Sequence, residues 1–450
     1  MRVVRLLKRL APKSELRRGV AVLVGGTTIA QSIVVVSSPV LTRLYTPSEV
    51  GVYSVAMSIL SILIIVSCLR YELAMPLPEN DVAAANVLGL SLVTTFGTTL
   101  ATAVALWISG PALLALFGAS ILRPYLLLFT LGQLGGGIVL ALTLWAIRTK
   151  AFSAIAATRL TQSGTLVATQ VGLGALGFGA PALLLGAVLG SVTGSSRLAR
   201  AAWRTHAAAF HQVSRKGIVA AARRYRRFPM FAAPSALLNT LGLQAPLLLI
   251  VALFGTSVGG QYALADRICG LPVTLVATAV SQVIFGEVAR LAREEPEAML
   301  GLFWRTTRSL ARAAVGPFVL MGVAAPLLAG LVFGENWHEA GLFVAILAPM
   351  YFLQLVMSPT GSVLDVLERQ DLSLFREVLR LCLVGGAVLI AAAAVLPAVG
   401  AVCVLSAAVC LTYVLYGVIT WRAIVDRNRS RISATAAEPV SQDATEWPGL

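Results

Sequence analysis

A chain of 450 residues that is 58% hydrophobic, only 12% charged and of mean hydropathy +0.85 cannot hide its apolar surface in a water-soluble fold; the bilayer must be its solvent. Its formal net charge of +15 invites a nucleic-acid partner, but all 35 Lys and Arg except Arg43, Arg123 and Arg267 fall on one side of the membrane once the N-terminus is placed in the cytoplasm. That is the positive-inside pattern, and it accounts for the charge without nucleic acid.

The elements follow in chain order. A basic N-terminal arm, 1–18, precedes apolar runs at 19–42, 50–69, 83–108, 121–147, 152–176 and 180–199. The first run is too long for a signal-peptide core and more runs follow, so it reads as an uncleaved helix. A basic linker, 200–227, then carries nine Lys and Arg counted from Arg197 to Arg227 and no acid, with both a helix lying on an anionic leaflet and a solvated loop open to it. A second set of runs follows at 228–253, 261–286, 309–333, 341–364, 376–397 and 400–422, before a polar tail expected to be disordered over 426–450. Each run has about the 20 residues that cross the hydrocarbon core, and lipid demands backbones satisfied within each segment. The expected fold is therefore an all-α polytopic membrane protein of about twelve transmembrane helices, with both termini cytoplasmic. Its units are an N-terminal six-helix bundle over 19–199 and a C-terminal one over 228–425.

The two bundles echo each other. At a constant offset of 209, Leu44, Ser48, Gly51, Tyr53, Ala56 and Ile59 match Leu253, Ser257, Gly260, Tyr262, Ala265 and Ile268. Phe117-Gly118 and Phe333-Gly334 close the third run of each half. Two related halves end to end are the plan of a transporter with a site between them.

No catalytic or cofactor motif is present: there is no nucleotide-binding P-loop, no HExxH and no DxD pair. No enzyme activity, metal or other cofactor is expected. The five cysteines (Cys68, Cys269, Cys382, Cys403 and Cys410) form no CxxC and read as buried free thiols.

What remains is charge at membrane depth. Asp266 and Arg267 lie about five residues into a run starting at 261, about 8 Å along a helix axis. Charges there are costly against lipid and must face a cavity or a partner. The first half has Met57 and Ser58 at the matching positions. One reading is an anionic-substrate site at Arg267 with a coupling ion at Asp266; the other is a structural ion pair or a snorkelling end charge. Arg43 ends the first run on the cation-poor side and suits phosphate through its planar fork, unless it merely snorkels to the interface. Arg70, beside Tyr71 and Glu72, is a substrate contact, a local ion pair or a topology signal. Gln31, Gln133, Asn239, Gln244, Gln282 and Gln354 are candidates to line a sugar-compatible cavity, with interhelical hydrogen bonds as the alternative. Glu287 and Asp365 fall at helix ends and read as interface residues.

The run from Pro39 to Ser54 (PVLTRLYTPSEVGVYS) and the run Leu69-Arg70-Tyr71-Glu72-Leu73-Ala74 resemble the start of bacterial O-antigen and capsular polysaccharide flippases. These belong to the multidrug/oligosaccharidyl-lipid/polysaccharide exporter superfamily. The motif resemblance covers about 25–90, and the span count and mid-chain basic loop extend it to the whole chain. The resemblance implies two six-helix bundles around a central cavity that move undecaprenyl-diphosphate-linked oligosaccharides to the outer leaflet by alternating access. It would give Arg43 and Arg267 the diphosphate or acidic sugars, and would place the protein in the bacterial inner membrane. Implied partners are the lipid-linked oligosaccharide, anionic membrane lipids, and a polysaccharide polymerase and chain-length regulator as candidates. A cation-coupled drug antiporter of the same superfamily is the alternative function. A membrane enzyme of polysaccharide assembly is a weaker one, lacking the outer loop or acidic motif it would need.

Overall fold

The computed structural model describes residues 15–437 apart from 296 and 368; expectations for the rest of the basic arm and the end of the tail lie outside the described residues. The described chain is helical, and no strand occurs among those residues. The N-terminal half comprises α1 (Glu15–Val36), α2 (Ser38–Leu44), α3 (Pro47–Ser67), α4 (Asp81–Leu116), α5 (Leu126–Arg148), α6 (Phe152–Ala175) and α7 (Ala180–His211). The expected linker is the end of α7 plus the short α8 (Arg215–Arg224), whose start is capped by the Ser214 hydroxyl. The C-terminal half comprises α9 (Ala233–Glu294), α10 (Ala298–Phe333), α11 (His338–Met357), α12 (Ser362–Val366), α13 (Gln370–Ala393) and α14 (Ala398–Ala437). Because α14 runs through Ala437, the segment 426–437 is helix rather than disordered tail; once a long helix is nucleated, each added residue gains a hydrogen bond.

Nine stretches among the described residues are long and apolar enough to cross a membrane, against twelve expected. The difference has two physical causes. One stretch, Phe228–Ala292, is 65 residues long and contains two of the expected runs. It breaks at Gly255, whose φ of 85° suits glycine. Val251 packs against Gly259 across that break, whereas eight residues of continuous helix would part them by about 12 Å, so the two arms of α9 fold back on each other. The other cause is that α6 and α13, each of 24 residues, carry polar side chains that lower their apolarity, Arg159 on α6 and Arg376, Glu377 and Arg380 on α13 among them.

Local chemistry fixes the shared segment. Pro39 has no N–H to donate, and the first helix breaks at Ser37 into α1 and α2. Thr46 and Glu49 then form a reciprocal capping box at the start of α3, with Pro47 in its first turn. Gly118 and Gly334, the echoed glycines, both adopt positive φ, 62° and 102°, just past α4 and α10.

Each half has its own core. Trp145, Leu142, Met75 and Leu198 anchor one in the first half, and Phe343, Leu347, Val402 and Leu405 one in the second. The halves meet where α3 crosses the second arm of α9. A Cβ on Gly51 would collide with the Thr256 carbonyl, and a Cβ on Gly260 with the Pro47 carbonyl. These contacts map onto each other at the offset of 209, so the two halves are related here by a pseudo-two-fold axis. The Ser48 and Thr256 hydroxyls are hydrogen-bonded at 2.7 Å beside the crossing.

Cys68 and Cys269 are buried, as expected of thiols in apolar helices. Cys382 and Cys403 are exposed on helix faces that a bilayer would cover, which corrects the expectation of burial for those two.

Candidate functional site

A cavity of about 520 Å³ lies between the halves, within the roughly 300–1,000 Å³ range of ligand pockets. Its walls are the two copies of the repeated segment. Tyr53, Ser54, Met57 and Ser58 of α3 face it, and so do their counterparts Tyr262, Ala263, Asp266 and Arg267 of α9. The charge pair therefore stands in a cavity wall where the first half has a thioether and a hydroxyl. It also lies deeper than expected: the second arm of α9 begins at Thr256, ten residues before Asp266, about 15 Å along the axis.

The two charges do not pair with each other. Arg267 turns to α1 and donates from Nη2 to the Val34 carbonyl at 3.2 Å. That carbonyl also accepts from the Ser37 and Ser38 hydroxyls at 2.9 and 3.1 Å, so Arg267 binds the broken end of α1 across the interface between halves. The Asp266 carboxylate accepts a short hydrogen bond from the Tyr351 hydroxyl of α11. Among the described residues no cation lies within ion-pair distance of it.

The charged lining residues, Asp266, Arg267 and Arg380, all belong to the second half. The first half contributes Ser38, Thr42, Tyr53, Ser54, Ser58 and Gln170, which offer hydroxyls and an amide. Such a chamber can hold an anion against one wall and neutral hydroxyl-rich groups against the other.

The other expected residues are dispersed. Gln244 and Gln354 line the cavity; Asn239 does not, but its side-chain oxygen accepts from Arg380 at 2.9 Å. Gln31 lies on α1 outside the lining, and Gln133 is wholly buried within the first half. Arg43 is also outside the lining. It is exposed near the α9 turn and reaches the Leu331 carbonyl of α10 at 3.5 Å. Its neighbour Thr42 accepts from the buried Trp337 indole at 2.8 Å. Arg43 thus sits where the halves close, on the same side as the Gly51–Gly260 crossing.

Arg70 is remote from the cavity and pairs with Glu72 at 3.3 Å, the local ion pair among its expected roles. Its φ is 62°, a costly conformation for a side chain that is not glycine. Burial pushes the Glu72 carboxyl above its ordinary value of 4.5, while its own backbone N–H and the Arg70 guanidinium pull it back down. A carboxyl with a raised folded pKa favours folding most below its unfolded value and loses that contribution as pH rises through the folded one. Glu72→Gln removes the dependence. The melting temperature of the variant in detergent is expected to gain on the wild type as pH rises above about 5; parallel curves from pH 4 to 8 would contradict this. Glu287 pairs with Arg290 at 2.7 Å, away from the cavity. The Gln282 and Asp365 side chains lie outside the described residues.

Sequence reasoning missed Arg380, Tyr351 and Gln170. Arg380 read as a cytoplasmic flank because the apolar run was taken to start at 376; α13 starts at Gln370 and carries Arg380 about 15 Å inward. The i, i+4 spacing of Arg376 and Arg380 beside Glu377, on one helical face, was the available signal.

Two helical halves around a shared chamber, packed together at one end, have the build of a multi-pass membrane protein. The chain belongs to the polysaccharide biosynthesis protein family, whose model matches residues 40–342. Among curated proteins it is 24% identical over 319 residues to the succinoglycan biosynthesis transport protein ExoT of Rhizobium meliloti (strain 1021), covering 70% of this chain and 61% of that one. It is 30% identical over 148 residues to the teichuronic acid biosynthesis protein TuaB of Bacillus subtilis (strain 168), covering 33% of this chain and 30% of that one. The matches thus span less than two thirds of these relatives' lengths.

Solved structures give the fold. An inward-facing MATE family multidrug resistance transporter of the MOP superfamily superposes with a TM-score of 0.65 at 13% identity, over 95% of this chain and 100% of that one. The lipid II flippase MurJ in an inward closed conformation superposes with a TM-score of 0.64 at 11% identity, over 90% and 87%.

Proposed function

We propose that this protein flips an undecaprenyl-diphosphate-linked oligosaccharide from the inner to the outer leaflet of the bacterial inner membrane, supplying surface polysaccharide assembly. The observation that carries the reading is the chamber between the halves, with guanidinium on one wall and hydroxyls on the other. A diphosphate needs the first and a sugar the second. The positive-inside pattern supports cytoplasmic termini, and on that orientation the close Gly51–Gly260 crossing is the outer closure. Cargo enters from the cytoplasmic side, the halves rock, and the outer closure parts, while the polyprenyl tail stays in lipid. Arg267 binds the diphosphate; Arg43 meets it as the outer side opens. Gln31 and Asn239 support the helices that frame the chamber, and Arg70 braces the cytoplasmic end of α3. The basic segment around α8 lies on anionic inner-leaflet lipid. A polymerase and a chain-length regulator would act on the product.

The deciding experiment measures transbilayer movement of a fluorescent undecaprenyl-diphosphate oligosaccharide in liposomes holding the purified protein, with and without proton or sodium gradients. Movement above empty liposomes supports flipping. A folded protein that moves none of several glycans sinks the proposal and leaves the drug antiporter. Asp266, hydrogen-bonded to Tyr351 and with no cation partner among the described residues, is the group to couple an ion. Asp266→Asn is expected to keep downhill movement while losing gradient stimulation; stimulation equal to wild type would remove Asp266 from coupling.

A further inference from the structure

We infer that Arg380 is a second anion subsite of the chamber, which rests on reading the chamber as the cargo site. The first observation is its seat. Arg380 is 8% exposed and lines the cavity, so its charge is directed at the chamber and not at bulk water. Its Nη2 is committed: it is 2.6 Å from the Glu377 carboxylate and donates to the Asn239 carbonyl at 3.2 Å and to the Asn239 side-chain oxygen at 2.9 Å. Its Nε is buried and, among the described residues, has no acceptor. A buried guanidinium N–H without a partner is a cost that an incoming anion would remove.

The second observation is the space made for it. Gly242 on the first arm of α9 also lines the chamber, and a Cβ there would stand 3.0 Å from Nη2 and 3.3 Å from Nε. The missing side chain lets the guanidinium come close against α9. Arg376, one turn earlier, is used differently: its guanidinium sits 4.1 Å from the centre of the Tyr416 ring, and it does not line the chamber.

The third observation is depth. Gly242 lies thirteen residues before the Gly255 turn and Arg267 twelve after it. Along the two arms these are about 20 and 18 Å from the turn. Arg380 and Arg267 therefore face one chamber at a common level from different helices, and among the described residues Asp266 is the only acid that lines it. Two guanidiniums at one level suit an anionic cargo group larger than a single carboxylate, or two anionic groups side by side. Glu377 holds Arg380 in place and shares it when the anion arrives.

The anion has two sources, the diphosphate of the carrier lipid or a carboxylate on its sugars, and the test separates them. The full-length protein in liposomes is given two cargoes: undecaprenyl-diphosphate bearing a neutral oligosaccharide, and the same lipid with one uronic acid. Wild type is compared with Arg380→Lys and with Arg380→Gln combined with Glu377→Gln, which leaves no lone carboxylate behind. The paired variant is expected to raise the half-saturating concentration about tenfold with little change in maximal rate, and Arg380→Lys to recover part of it. A rise with both cargoes assigns Arg380 to the diphosphate; a rise confined to the acidic one assigns it to the sugar. Unchanged half-saturation with both, or a fall in maximal rate alone, overturns the subsite and leaves Arg380 a structural residue. Wild type that moves neither cargo overturns the flippase reading itself.

Discussion

Valine at Gly51 or Gly260 is expected to reduce lipid flipping about 100-fold while leaving each half folded. Each glycine faces a backbone carbonyl of the opposite half, Thr256 for Gly51 and Pro47 for Gly260, and that carbonyl cannot rotate away as a side-chain tip could. Overpacking of this kind costs about 3 kcal/mol, and that difference between closed and open states is about 100-fold in population. On the proposed cycle the substitution acts only on the state in which this crossing is closed, since the contact does not exist once the halves part. A cysteine pair reports the same state. The Ser48 and Thr256 hydroxyl oxygens are 2.7 Å apart, so Ser48→Cys with Thr256→Cys should cross-link readily. Adding Gly51→Val should suppress the cross-link along with flipping. Efficient cross-linking in the triple variant would mean that the crossing tolerates a side chain and that the closure lies elsewhere.

Arg267→Ala is expected to be nearly as severe. Loss of one charged partner from a buried, hydrogen-bonded contact costs about 3 kcal/mol, or about 100-fold in transport at subsaturating cargo. The fold should survive, because the Val34 carbonyl keeps its bonds from Ser37 and Ser38 when the guanidinium is gone. Arg267→Lys should fall between, since an ammonium keeps the charge but not the planar fork. The readouts are liposome flipping and surface polysaccharide in cells, with melting temperature in detergent as the control for folding. Wild-type flipping by a normally inserted Arg267→Ala protein would remove Arg267 from the site.

Much of the fold was legible because the bilayer imposes simple rules. Apolar length located the helices, and the offset of 209 announced two halves; the Gly51 and Gly260 contacts fulfil that offset atom for atom. The chamber was legible in part. Asp266 and Arg267 stood out as charges at depth, yet their burial was underestimated because nothing in the apolar pattern reveals that Gly255 turns the chain so tightly. Arg380 was hidden by the reverse error, since a guanidinium near the end of an apolar run looks like a topology signal wherever the helix really starts. Arg43 was assigned by residue type, but its direction depends on the break at Ser37, which points it at α10. Hydrogen-bond partners such as Tyr351 for Asp266 come from helices far apart in sequence and have no local signature.

The crossing of α3 with α9 sets different rules of change for two faces of the same helices. On the seam, Gly51 and Gly260 each answer to the backbone of the other copy, so an alteration in one copy must be met by the other or the fit is lost. On the chamber face one turn or two further along, Met57 and Ser58 stand opposite Asp266 and Arg267 with no such reciprocity. A chain built from two copies of one segment can therefore diverge in what it carries while keeping unchanged how it closes. The seam keeps the symmetry of the repeat, and the chamber is where its two copies differ.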